Sequence, residues 1–320
     1  MIASFRNNKV MQNLIHDAKH RPLVLFVGAG INVPMIPTWD NLLNEIMEKS
    51  IRMNIVSNNI EKEAYRNLIS WHTSNALSVY EKASLIKILS EKQYLYLIED
   101  ALYKNINKPE PSRMFLRIKN LCSSENVHAV VSYNYDDYLL TEVKKFRNVV
   151  NCLDTAAKYQ TDFDPGRNKS LDKMNHDLHF YFVHGFIPRK ANYINNSNNI
   201  VLSYDEYFLN MLNPYSWQTA TQIYFLKNYT CLFLGTSLSD WNMLRLIQYA
   251  NDGNNSIYLL MSEQSFYKDG DPYVTSDYVK KNIIRTKATI LDRFGVRLIL
   301  TGTEYDTVAK TIDYIYENIT

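Results

Sequence analysis

Cysteine is scarce in this chain, a surplus of either charge is missing, and no apolar run is long. Only 3 of 320 residues are cysteine. Cys122, Cys152 and Cys231 are odd in number, widely spaced and form no CxxC pair, so a disulfide framework is not expected. A zinc site of four cysteines is excluded by count within one chain. Lysine and arginine number 35 against 33 acidic residues, a formal net charge of +2, which gives no argument for nucleic acid or an acidic surface as partner. No apolar stretch approaches the roughly 20 residues of a membrane span. The first residues, MIASFRNNKVMQNLIHDAKHRP, lack the apolar core of a signal peptide, so a cytoplasmic location is the expectation. Glycine is absent from residues 58–120, whose only prolines are Pro109 and Pro111.

What is present is an alternation of strand-like and helix-like patterns. Residues 5–19 read as an opening helix. Leu23-Val24-Leu25-Phe26-Val27 is a continuous apolar run of the kind buried on both faces. A helix is expected near Trp39, with Leu42, Leu43, Ile46 and Met47 on one face. Tyr65, Leu68, Ile69 and Trp71, then Leu85, Ile86, Ile88 and Leu89, then Tyr94, Tyr96, Leu97 and Ile98, suggest further helices. They are taken as a helical insertion at 50–120, between the first two strands of a single domain spanning 1–320. Strand patterns return at 127–132, 179–183, 200–202, 229–235, 256–261 and 296–301. Helical patterns lie at 136–146, 204–212, 215–227, 240–250, 275–292 and 304–318. This order predicts a Rossmann-like α/β fold, a mostly parallel sheet with helices on both faces. Asp164-Pro165-Gly166 reads as a turn, and Asn192 to Asn199 as a polar surface loop.

Four segments sit just past strand-like runs, where an open α/β sheet binds its ligands. The first is Gly28-Ala29-Gly30-Ile31-Asn32. Two glycines let backbone N–H groups approach a diphosphate. A dehydrogenase fingerprint needs a third glycine where Val33 stands. Read alone, the loop is equally a tight turn without a ligand. The second is Tyr133-Asn134-Tyr135-Asp136-Asp137. Asn134 offers a donor and an acceptor, although an isolated asparagine is more often a turn former. Asp137 is expected to cap the next helix. The third is His184-Gly185, with the imidazole as a general base near neutral pH; a lone histidine on an apolar strand is usually structural. His176 and His179 hint at a metal, but no third ligand has telling spacing. The fourth is Gly235-Thr236-Ser237-Leu238, whose hydroxyls suit ribose or phosphate. Asp240 follows, and it also reads as a helix cap.

In this order the four segments resemble the sirtuin-like family of NAD-consuming enzymes. The resemblance covers about residues 20–45 and 125–315 and is weak across 50–120. It implies that Asn134 holds the nicotinamide-side ribose and the attacking water, and that His184 contacts a ribose hydroxyl and supports glycosidic cleavage. It implies an NAD-binding set of Gly28, Ala29, Gly30, Ile31, Asn32, Trp39, Asp136, Gly235, Thr236, Ser237 and Asp240. Trp39 would wall the nicotinamide pocket, or serve as plain core. The pattern has departures. Asn32 stands where the family has serine, and Thr38-Trp39-Asp40 stands where deacylases carry Asp-Phe-Arg. Pro37-x-Trp39-x-x-Leu42-Leu43 instead looks like bacterial sirtuin-like NADases of phage defence, the Thoeris effector group included. The implied reaction is hydrolysis of NAD to nicotinamide and ADP-ribose, with NAD as substrate and no separate cofactor or metal. A deacylase and a non-catalytic NAD or ADP-ribose sensor are the alternatives. Little room is expected beyond residue 320 for a sensor domain. Control is therefore expected through homo-oligomerisation or a separate protein, a hexameric ATPase being one family precedent.

Overall fold

Five consecutive apolar residues, Leu23–Val27, form strand β1, and every one is buried. A strand with no polar residue has no face to give to water, so it belongs inside a covered sheet. β1 pairs in parallel with β2 (Val127–Ser132) on one side and β5 (Thr230–Leu234) on the other. Beyond β2 stand β4 (Leu178–Phe182) and the edge strand β3 (Val149–Asn151). Beyond β5 stand β6 (Ser256–Ser262) and β7 (Val296–Thr301). The seven strands run in the order β3-β4-β2-β1-β5-β6-β7, with every pairing parallel. Without β3, this is the doubly wound order of the Rossmann fold. The structure is a computed structural model and describes residues 8–53, 62–64, 66–67, 77–90, 93–106, 110–152, 177–189, 200–267, 274, 276–302 and 305–320. The turn at Asp164-Pro165-Gly166, the loop from Asn192 to Asn199, His176 and the face with Tyr65, Leu68, Ile69 and Trp71 lie outside the described residues.

Alternate residues of β1 face two cores. Leu23, Leu25 and Val27 join one apolar cluster with α1 (Lys9–His20), α2 (Trp39–Arg52), α3 (Val79–Ser90), α4 (Tyr94–Tyr103), α5 (Arg113–Leu121), α6 (Tyr138–Val143) and α11 (Tyr305–Ile319). Val24 and Phe26 join the other, with α8 (Trp217–Asn228), α9 (Trp241–Ala250) and α10 (Asp277–Arg293). Leu42, Leu43, Ile46 and Met47 of α2 are all buried, as their spacing predicts. α7 (Tyr204–Leu212) starts in a capping box between Ser203 and Glu206. Among the described residues no helix is long and apolar enough to cross a membrane.

Two expectations change. Residues 200–202 are buried but form no strand. Their backbone groups go elsewhere: Val201 N donates to His184 O (2.9 Å), and Leu202 N to the Glu206 carboxylate (3.1 Å). The oxygen of Val201 accepts from Tyr135 Oη at 2.6 Å. The short edge strand β3 had no sequence signal, its apolar part being only Val149-Val150.

The exits of β1 and β5 meet backbone on backbone. Gly28 N donates to Leu234 O and Gly30 N to Gly235 O, both at 3.0 Å. A Cβ on Gly28 or Gly30 would stand 2.8 or 2.9 Å from Gly235 O, and one on Gly235 would stand 2.6 Å from Ile31 N. Gly235 also has φ +65°, a region that L-residues avoid. The turn continues through Leu238, whose φ of 49° is held with its side chain fully buried.

Gly253 separates the two causes, since it shares a positive φ (+88°) but would give its Cβ open space. Gly253→Ala should cost about 1 kcal/mol of stability, the backbone term alone. Gly235→Ala should cost at least about 3 kcal/mol, because the backbone beneath it must also shift. Urea midpoints of the two variants check this; equal losses would show that the loop contact is slack.

Candidate active site at the strand exits

The exit of β2 is a tight turn. Ser132 Oγ accepts from Asn134 N (3.1 Å) and donates to Asn134 O (3.3 Å). Asn134 Nδ2 donates to Gly28 O at 3.2 Å, which ties this turn to the β1 exit and fixes which way the carboxamide faces. Asn134 Oδ1 is then buried with no hydrogen-bond partner among the described residues. Asp136 is buried, and both its oxygens accept from Asn32 Nδ2 (3.0 and 2.9 Å). Its Oδ1 also accepts from Tyr138 N (2.9 Å) at the start of α6. Asp136 therefore supplies the cap expected of Asp137. The Asp137 carboxylate accepts instead from Arg189 Nε (3.0 Å) and Arg189 N (3.1 Å). Tyr103 locks the same corner, donating to Ile187 O (2.6 Å) and accepting from Asp137 N (2.9 Å).

His184 follows β4 and is buried, and its Nδ1 has no partner among the described residues. Its ring meets Tyr133 and Trp39 edge-on, with centroids 5.1 and 6.4 Å away. Trp39 opens α2 and also packs against Tyr135, at 5.7 Å. Ala29, Trp39, Asn134, Tyr135 and Asp136, with Ile36, Pro37, Leu42 and Leu102, line a cavity of about 20 Å³. Asp240 does cap α9, accepting from Asn242 N at 2.7 Å. It also accepts hydroxyl hydrogen bonds from Tyr207 (2.5 Å) and from Tyr80 of α3 (3.2 Å).

The structure thus gathers Ala29, Asn32, Trp39, Asn134, Asp136 and His184, with Asp240 across Tyr80. Gly28, Gly30 and Gly235 form the floor through their own contact. Their spacing suggested a diphosphate cradle, but the amides of Gly28, Gly30, Ile31 and Asn32 all donate within the protein. The Ile31 side chain is fully buried core. Thr236 Oγ1 accepts from Leu238 N (3.3 Å), while exposed Ser237 shares a hydrogen bond with Ser239 (2.6 Å). Those two hydroxyls stand at the same edge but outside the cavity. Sequence reasoning gave Tyr133 and Tyr135 no role, although they flank Asn134 in its motif, and did not pick out Tyr80 or Tyr207. With 24 tyrosines in the chain, composition could not single them out.

Fold and site together define a Rossmann-like α/β protein with its candidate site at the carboxyl ends of the central strands. Residues 128–286 match the family model described as a SIR2-like domain, which supports a sirtuin-like family and NAD-related chemistry. The match takes in Asn134, Asp136, His184, Gly235 and Asp240, and leaves out β1, Trp39 and Tyr80. An uncharacterized protein of Methanocaldococcus jannaschii is 26% identical over 127 residues, 38% of this chain. The aligned part spans 25% of that protein's length.

Burial moves two ionisable groups of the site in opposite directions. It lowers the His184 pKa from 6.5 to about 4, against the pull of Asp240. It raises that of Asp136 from 3.8 to about 6, partly offset by the hydrogen bonds from Tyr138 and Asn32. At neutral pH the imidazole is therefore uncharged. Between about 4 and 6.5 the unfolded chain holds a proton on His184 that the native state lacks, so acidification through this window destabilises. Between 3.8 and about 6 the native state holds a proton on Asp136 that the unfolded chain has lost, so the same acidification stabilises. Asp136→Asn removes the second effect and leaves the first. Its urea midpoint should fall more steeply than that of the wild type from pH 6.5 to pH 4. A parallel or shallower fall would contradict the assignment.

Proposed function

We propose that the protein is an NAD glycohydrolase, cleaving NAD with water to nicotinamide, ADP-ribose and a proton. The observation that carries this reading is that, of seven buried, unpartnered side-chain polar atoms among the described residues, three fall at the strand exits: Asn32 Oδ1, Asn134 Oδ1 and His184 Nδ1, with Trp39 beside both Asn134 and His184. A buried polar group left unpaired costs about 1–3 kcal/mol. Such groups are maintained where a ligand completes them.

The bond to break is N-glycosidic, and its electron pair leaves with the nicotinamide nitrogen. The ribose carbon left behind carries cationic character, and water must reach it from the opposite side. Asn134 Oδ1 can accept from that water or from a ribose hydroxyl, while Nδ2 stays on Gly28 O. Neutral His184 can accept a proton from the same set of hydroxyls. Trp39 and Tyr135 give the apolar walls that keep further water out. The SIR2-like match over 128–286 supports the substrate class. The departure at Thr38-Trp39-Asp40 and the three-cysteine count favour plain hydrolysis over deacylation. A role in anti-phage defence, with control through self-association or a separate protein, completes the reading.

Purified protein incubated with NAD should release free nicotinamide at a rate independent of added acylated peptide. Asn134→Ala and His184→Ala should each lower that rate at least about 100-fold while melting within a few degrees of the wild type. A rate that depends on the peptide would make the protein a deacylase. NAD binding without nicotinamide release would make it a sensor. Wild-type turnover in either variant would remove the role given to that residue.

A further inference from the structure

The cavity beside Asn134 holds about 20 Å³. That is room for about one water, whereas pockets for drug-sized ligands run to several hundred. No nicotinamide ring enters until a wall moves. Tyr135 is a poor candidate to move. It is buried, its hydroxyl donates to Val201 O (2.6 Å), and its carbonyl accepts from Ile187 N (2.7 Å). Trp39 is anchored by the buried stripe of α2 behind it.

α3 is held differently. Of its 12 residues only Ala83 and Ile86 are buried hydrophobics. Val79, Leu85 and Leu89 pack half-buried against the same core, and the ties of α3 to α7 and the start of α9 are polar. Ser84 Oγ accepts from Tyr204 N (2.8 Å), and Lys87 pairs with Asp205 (2.9 Å) and Glu206 (2.8 Å). At the first turn of α3, which lines no part of the cavity but reaches its Trp39 wall, the Tyr80 ring lies 4.2 Å from Tyr207 and edge-on to Trp39 at 6.2 Å. Its hydroxyl rests on Asp240 Oδ2 (3.2 Å). These contacts join Trp39, on the β1 side and itself in contact with His184, to Asp240 after β5.

We propose that α3 is a lid over the strand exits, latched by the Tyr80 hydroxyl on the Asp240 carboxylate. The ligand of that site is NAD under the reading above, and the lid sets how often the site can be reached. Tyr80→Phe keeps the ring and removes only the latch. The first readout needs no activity: the rate at which diethylpyrocarbonate modifies His184 at pH 7, located by mass spectrometry. His128 and His179, at the far ends of β2 and β4, serve as internal controls. The second readout is amide hydrogen exchange across residues 79–90.

In Tyr80→Phe, His184 modification and exchange across 79–90 should both rise about 10-fold, the controls staying unchanged. Tyr80→Ala should exceed it in both. In NAD turnover, KM should fall by about the factor by which the open fraction rises, with kcat within about twofold, because a closed lid taxes binding and not chemistry. Unchanged His184 modification and unchanged exchange in both variants would overturn the lid, whatever NAD turnover shows. So would exchange that rises equally in β1 and β5, which would make Tyr80 an ordinary packing residue. A local rise with no NAD cleavage by any form would keep the lid and sink the NAD reading.

Discussion

Two loops at neighbouring strand ends can occupy the same space only if neither brings side chains to the contact. That is the condition met by Gly28, Gly30 and Gly235, and the candidate site stands on it. The Gly28 carbonyl faces the contact and also accepts the Asn134 carboxamide at 3.2 Å. The position of Asn134 Oδ1 thus follows from a backbone contact two strands wide. Asn32, at the end of the same loop, holds Asp136. A displaced β1 exit would release both side chains together. The glycines act on chemistry through packing, at one remove from any ligand.

Around this floor the molecule accepts local cost. His184 and Asp136 are each held against their ordinary protonation, and Leu238 carries a left-handed backbone inside the core. Asn134 and His184 keep buried polar atoms unpaired. None of this helps folding. The surrounding sheet, with β1 covered on both faces, is where the compensating apolar burial lies. The arrangement follows a general division in α/β proteins, in which strands supply stability and their carboxyl ends carry strain and polarity.

The continuous apolar runs of β1, β2 and β5 were plain in the sequence, because burial on both faces leaves no other residue type. The same rule misfired at 200–202, where burial is real but the backbone bonds go to a loop, a tyrosine and a helix cap. The strand exits could be found by order and spacing. Their internal wiring could not. Gly28 and Gly30 looked like a phosphate loop because their steric partner, Gly235, lies more than 200 residues on. Adjacent aspartates 136 and 137 could not be told apart as caps, since the Arg189 guanidinium that engages Asp137 comes from another segment. Tyr80 carried no motif at all. Its partners, Trp39, Tyr207 and Asp240, come from three other helices and are brought to it only by the fold.

Asn32 and Asp136 lie 104 positions apart in the chain and share one buried hydrogen-bonded couple. Neither is replaced alone without leaving the other's polar atoms stranded in a dry place. Selection therefore acts on the couple as one character with two addresses. A lineage that drifts at one address must drift at the other, or pass through a weakened intermediate.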